Sequence, residues 1–250
     1  MKLYKLTEQN LTTYNNSMNW EINKTNKSNK IKKCKDPQLC TDQVIHAYTN
    51  KNLALLLNPI HAHIVDPILF ECEGEVVVSS WDKCGTFELT PLKRLQYPRW
   101  YRDEGTRKDV QVLFAIYCAE SVLSVYEEKY TDDSRPRKAI EAARNWLEFK
   151  TDDAAANAAY YAAAADADAA DAAYAAAYAV NAAKAAANAA YYAAADAYAA
   201  AAAAHAARAA ARAAAHAAHA NAACYAADDN KKISFSKLAN KAIKTIMEKK

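Results

Sequence analysis

Between Ala154 and Ala227 the chain runs for 74 residues with 50 alanines and neither glycine nor proline. Alanine loses no side-chain freedom on entering a helix, so the local expectation is helix throughout. A single helix of that length would reach about 110 Å, far beyond an ordinary globular helix. Several alanine-rich helices folded into a stack are therefore expected, with breaks at Asp166 to Asp171, Asn181 or Asp196, where side chains compete for backbone hydrogen bonds.

The residues that interrupt the alanines are patterned. Asn157, Tyr160, Tyr161, Asp168, Asp171, Tyr174, Tyr178, Asn181, Asn188 and Tyr192 recur at intervals that place most of them on one half of a helical wheel. A second set, His205, Arg208, Arg212, His216 and His219, falls within roughly 80° of arc and forms a basic stripe. Small alanine faces let helices approach closely but bury little apolar area, so the tyrosine rings must supply much of the packing. Disorder is not expected from a composition this rich in alanine and tyrosine.

Charge narrows the functional classes. Residues 1–153 hold 22 basic and 22 acidic side chains, 154–227 hold three and four, and 228–250 hold seven and three. Only the tail is basic, which is a weak cationic field for a dedicated nucleic-acid binder. Apart from the alanine tract, whose Asp, Asn, Lys and Arg argue against a membrane span, long uninterrupted apolar runs are lacking. Met1-Lys2-Leu3-Tyr4 does not begin a signal peptide, so a cytoplasmic protein is expected, with Cys34, Cys40, Cys72, Cys84, Cys118 and Cys224 reduced.

Residues 1–105 read as a small α+β domain. Lys2 to Thr7 alternates as a strand, and residues 10–36 form a long polar loop with room for one strand. Val44 to Tyr48 reads as a buried strand, and Asn50 caps a short helix through Leu57 that Pro59 terminates. Glu75 to Ser79 and Thr86 to Leu89 are expected to pair around a turn at 80–85. His61 and His63 would share one side if their segment were extended, one geometry for a metal. The spacings of Cys34 to Cys40 and Cys72 to Cys84 match no standard zinc pattern, and no metal or cofactor is called for. Two readings stay open for His46, Tyr48, His61 and His63: buried structural residues, or a small-molecule site.

From residue 106 the pattern becomes helical. Val110, Leu113, Phe114, Tyr117, Val122, Leu123 and Tyr126 mark an amphipathic helix from Arg107 to Tyr130. Pro136 suits the first turn of a second helix, Arg137 to Glu148, with Ile140, Ala143, Trp146 and Leu147 inward. Arg135, Arg137, Lys138 and Arg144 make a basic cluster that either holds an anion or pairs with Glu141 and Glu148. After Asp228-Asp229-Asn230, the spacing of Phe235, Leu238, Ala239, Ala242, Ile243, Ile246 and Met247 predicts a basic amphipathic helix, expected to dock on the helical stack.

Two stretches resemble known proteins. Tyr117 to Leu123, followed by Asp133-Ser134-Arg135-Pro136-Arg137-Lys138-Ala139-Ile140-Glu141-Ala142-Ala143-Arg144-Asn145-Trp146-Leu147 and an alanine-rich tract, resembles helical proteins catalogued as bacterial immunity proteins. Leu39 to Thr49, Leu55 to Ala62, Glu71 to Glu75 and Lys83 to Thr86 are similar to an uncharacterised domain common in bacteriophage proteins. The first resemblance implies toxin binding and the second a phage origin. Neither transfers a catalytic or binding residue. The leading glycines of the phage domain's first loop are replaced here by an Asn- and Lys-rich segment.

The sequence thus reads as an α+β protein, with a small N-terminal α/β unit (1–105), an alanine-rich multi-helix stack (106–227) and a C-terminal basic helix (228–250). The expected function is non-enzymatic and phage-encoded: binding that neutralises or sequesters a bacterial defence or toxin component. The partner is that protein or a small anionic nucleotide, and the chain is expected to be a homo-oligomer. The ligand-binding residues chosen are His205, Arg208, Arg212, His216 and His219, then Arg135, Arg137 and Arg144, then His46, Tyr48 and His61. The alternatives are an oligomeric assembly protein built on the alanine helices and an enzyme using the N-terminal histidines and cysteines.

Overall fold

The computed structural model describes residues 1–13, 16–28, 36–80, 82–128, 130–151, 153, 156, 157, 160, 209, 212, 216 and 233–250. The chain is an α+β protein with a mixed N-terminal β/α region and a C-terminal multi-helix segment. It divides into two compact units, Met1–Pro98 and Arg99–Lys250.

In the first unit the strands are β1 (Lys2–Thr7), β2 (Thr12–Thr13), β3 (Met18–Asn19), β4 (Asn26–Lys27), β5 (Ile45–Ala47), β6 (Ile68–Glu73), β7 (Val76–Ser79), β8 (Cys84–Thr86) and β9 (Glu88–Leu95). One sheet has the order β1-β6-β9-β4, a second β5-β8-β7, and β2 pairs with β3. The central strand β6 is antiparallel to β1 and to β9, so the Ile68–Glu73 segment, not marked as a strand by its sequence, is the middle of the sheet. Its pattern is nearly continuous burial rather than alternation, which explains why periodicity does not find it.

The pairing expected between 75–79 and 86–89 holds at Thr86, which lies opposite Val76, and not at 88–89. β7 pairs with β8, while Glu88–Leu95 joins the larger sheet. Gly85 allows this close contact, because a Cβ there would lie 2.7 Å from Val44 Cγ2 and 2.8 Å from Val78 Cγ1. Leu3, Trp20, Ile45, Phe70, Cys72, Cys84 and Leu89 form the core between the sheets. The Trp20 indole is satisfied inside it, donating from Nε1 to Thr13 Oγ1 at 2.8 Å.

Helix α1 (Lys51–His61) starts as its sequence predicts. The Asn50 side chain accepts from the backbone N–H groups of Asn52 and Leu53 at 2.9 and 3.1 Å. It does not stop before Pro59 but carries that proline inside and continues to His61. The buried Asn58 closes its end, bonding both the N–H and the C=O of Ile64, while its own carbonyl accepts from Ala62 and His63.

The second unit contains α2 (Arg99–Arg102), α3 (Glu104–Glu120), α4 (Leu123–Glu127), α5 (Arg135–Phe149) and α6 (Phe235–Glu248). Asp103 caps α3 through the Thr106 N–H. The single helix expected from Arg107 to Tyr130 is broken at Ser121–Val122, where the Ser121 hydroxyl donates to the Cys118 carbonyl at 2.6 Å. The run Glu104–Glu127 has the length and apolar composition of a membrane span, and 72% of its apolar window is buried within the protein. Helix α5 carries Pro136 in its first turn and ends at Lys150 in the left-handed region, φ 54°. Helix α6 buries Phe235, Ala239, Ala242 and Ile246 and packs on α3, with Lys241 Nζ 4.4 Å from the centre of the Tyr117 ring.

Within the alanine tract, residues 156, 157, 160, 209, 212 and 216 are helical. Ala209 is buried, Arg212 and Tyr160 are exposed and His216 is half-buried. His205, Arg208 and His219, the expected helix breaks and the rest of the tyrosine stripe lie outside the described residues.

Candidate functional site

A cleft of about 500 Å³ opens in the first unit, lined among others by Lys5, His46, Tyr48, His61 and Lys83. These residues come from β1, β5, the end of α1 and the turn before β8. Lys5 comes from β1, His46 from β5 and Tyr48 from the residue following Ala47; His61 ends α1, and Lys83 precedes β8. The volume lies in the range of about 300–1,000 Å³ typical of small-molecule sites.

Each side chain is held from behind. Tyr48 exchanges two backbone hydrogen bonds with Tyr4, at 2.8 and 2.9 Å, which tie β5's end to the larger sheet. Its hydroxyl lies 3.0 Å from His61 Nδ1, and the two rings stack with centroids 5.9 Å apart and an interplanar angle of 18°. The other nitrogen of His61, Nε2, is 2.9 Å from Asp82 Oδ2, both side chains being nearly buried. Burial alone would raise the Asp82 carboxyl, but the His61 hydrogen bond, the charges of His61 and Lys83 and a backbone N–H together hold it below its ordinary value.

His46 has a different environment. Its Nε2 accepts from the Cys40 backbone N–H at 2.8 Å, and the Lys5 ammonium donates to its carbonyl at 2.9 Å. Burial, then the charges of Lys83 and Lys5, lower its pKa to about 4, so the ring is neutral near pH 7. Lys5 is itself 5% exposed and sits 5.2 Å from the Trp20 ring centroid. The cleft is therefore lined by Lys5 and Lys83, by the acidic Asp42 and by a neutral His46, with Asp82 engaged by His61.

The expected sites fare differently. His46, Tyr48 and His61 are brought together. His61 and His63 are not on one extended segment: His61 is helical and His63 lies beyond the helix end with φ 51°, which removes the geometry considered for a metal. Arg135, Arg137 and Arg144 are each engaged by a carboxylate, and the partners are Asp133, Glu127 and Glu120 rather than Glu141 and Glu148. Arg212 is exposed and His216 half-buried. Burial pushes the thiols of Cys72 and Cys84 up to about 12 and about 11, and that of Cys118 well above the ordinary range, so all three are protonated at neutral pH.

Lys5, Asp82 and Lys83 were not singled out by sequence. Lys5 leaves one trace: it shares strand parity with the fully buried Leu3 and Thr7, so a lysine occupies a core-facing position. Asp82 and Lys83 stand in a polar turn, where charged residues are ordinary. No protein-family model, curated protein or solved structure matches this chain.

Proposed function

We propose that the first unit binds a small anionic ligand of nucleotide type in the Lys5–Lys83 cleft, and that the chain is a phage-encoded protein which neutralises a bacterial defence or toxin component by this binding. The observation that carries the reading is the convergence of Lys5 and Lys83 with Tyr48, His46 and His61 on one cleft of about 500 Å³. Ammonium groups recognise phosphate oxygens, and the Tyr48 and His61 side chains line the same cleft. The two resemblances support the biological setting.

The alanine-rich stretch is proposed to complete a helical stack in the second unit and to serve as an oligomerisation surface. Helical residues with Ala209 buried and Arg212 exposed support a packed, one-sided arrangement. The carboxylate pairing of Arg135, Arg137 and Arg144 makes the cleft the better anion site of the two clusters.

The test is calorimetric titration of the full chain with adenosine monophosphate at low and moderate salt. Binding is expected, weakening at least about tenfold in Lys83→Glu and with added salt. Affinity unchanged in Lys83→Glu and in Lys5→Met, with both variants folded, would remove the cleft from consideration.

A further inference from the structure

Asp82, His61 and Tyr48 form one hydrogen-bonded chain contributed by three separate segments, and Tyr48 and His61 line the cleft. An ionised Asp82 has only lone pairs to offer, so the proton between it and His61 belongs to Nε2. In the neutral imidazole, Nδ1 is then a bare acceptor. In that form the Tyr48 hydroxyl, 3.0 Å from Nδ1, is the donor. The order carboxylate, imidazole, hydroxyl is the arrangement in which an imidazole withdraws a proton from a nucleophilic oxygen while a carboxylate steadies the resulting cation.

The chain is also rigidly supported. The Tyr48 backbone is bonded twice to Tyr4, its ring is stacked on His61, and the end of α1 that carries His61 is closed by the buried Asn58. Here the chain runs to an ionised carboxylate and opens onto a cleft lined by Lys5, Lys83 and Asp42.

We propose that this cleft cleaves phosphodiesters, with Tyr48 as the nucleophile, His61 as general base and acid, and Asp82 as a positioning residue. The inference rests on the anion-binding reading of the same cleft. In the first step Tyr48 Oη attacks phosphorus, its proton passes to His61 Nδ1, the Oη–P bond forms and the P–O bond to the leaving alcohol breaks. The His61 imidazolium, held by Asp82, returns that proton to the leaving alkoxide. In the second step water attacks the phosphotyrosyl phosphorus and gives a proton to His61 Nδ1. The Oη–P bond breaks, Tyr48 recovers the proton, and a phosphate monoester is released. Lys5 and Lys83 offset charge on the non-bridging oxygens.

The experiment uses the full chain with bis(4-nitrophenyl) phosphate, following 4-nitrophenolate release, intact mass for an adduct on Tyr48, and calorimetric binding of 4-nitrophenyl phosphate. Wild type is expected to release 4-nitrophenolate and Tyr48→Phe to lose at least about 100-fold in rate while still binding 4-nitrophenyl phosphate. Asp82→Asn is expected to slow release and shift its pH–rate profile, which a merely structural residue would not do. Binding of 4-nitrophenyl phosphate by wild type without release of 4-nitrophenolate overturns the catalytic inference and leaves the binding reading standing; so does a Tyr48→Phe rate equal to wild type. Absence of binding overturns both. Should Tyr48→Phe fail to fold, the wild-type adduct mass decides: phosphorylation mapped to Tyr48 supports the inference, and turnover without it overturns it.

Discussion

The backbone N–H of Cys40 donates to Nε2 of His46 across 2.8 Å. That bond requires an unprotonated Nε2, so the loop preceding β5 is tied to the neutral form of the ring. Burial and the charges of Lys83 and Lys5 act in the same direction, and only Asp82 opposes them, bringing the pKa from 6.5 to about 4. A lowered folded-state pKa means that the unfolded chain binds the extra proton first. Stability is therefore lost as pH falls from 6.5 towards 4. After discounting for solvent screening at this half-buried ring, the loss is on the order of 1–2 kcal/mol. Urea midpoints across that interval should fall with pH in wild type and fall less steeply in His46→Asn.

Gly85 lies where a methyl group would meet Val44 and Val78 at less than van der Waals distance. Gly85→Ala should cost about 1–3 kcal/mol through this overpacking. Adding Val44→Ala should return part of the loss, because Val44 Cγ2 is the nearest obstacle at 2.7 Å. Chemical denaturation of the two single variants and the double variant measures the coupling.

Asn58 is 6% exposed and bonds both backbone groups of Ile64. Asn58→Leu leaves those groups without their partner and should cost about 1–3 kcal/mol. The end of α1 then loosens, so the His61 ring resonances in NMR spectra should broaden or shift. Unchanged His61 resonances would mean that Asn58 does not position this histidine.

Arg135 grips Asp133 with Nε and Nη2, both at 2.8 Å, and Tyr126 donates its hydroxyl to the same carboxylate. The Arg135 hydrogen bond, ahead of the opposing effect of burial, holds the Asp133 carboxyl well below its ordinary 3.8. The stabilisation is fully present above that ordinary value and is lost as pH falls below it. Asp133→Asn should destabilise the second unit by about 1–2 kcal/mol at pH 7, and its difference from wild type should shrink, without vanishing, as pH falls from 4 to 2. Denaturant titrations at pH 7 and across that interval provide the comparison.

Phe235 is 2% exposed at the start of α6. Phe235→Ala should cost about 3–5 kcal/mol, whereas the exposed Lys237→Ala should stay within about 0.5 kcal/mol. Thermal melts of the full chain followed by circular dichroism distinguish the two.

Much of the local structure can be read from residues near one another in the chain. The Lys2–Thr7 alternation, the Asn50 cap, Pro136 in the first turn of α5 and the spacing of Phe235, Ala239, Ala242 and Ile246 each specify an element through contacts only a few residues apart. Ile68–Glu73 escaped that reading because a strand covered on both sides loses its alternation. Pro59 misled it because a proline ends a helix only when neighbouring groups cannot compensate; Asn58 closes the end beyond it.

The cleft belongs to another class of information. His46, Tyr48 and His61 are close in sequence and could be named together, but Lys5, Asp82 and Lys83 reach them only through the pairing of β5 with β8 and the bridge between Tyr4 and Tyr48. Those pairings depend on Gly85 admitting Val44, and on a core assembled from residues as far apart as Leu3 and Leu89. Short-range spacing sets which segments can be strand or helix. Which charged groups share a low-dielectric cleft is set by long-range packing, and that is what leaves His46 neutral and joins Tyr48 to Asp82 through His61.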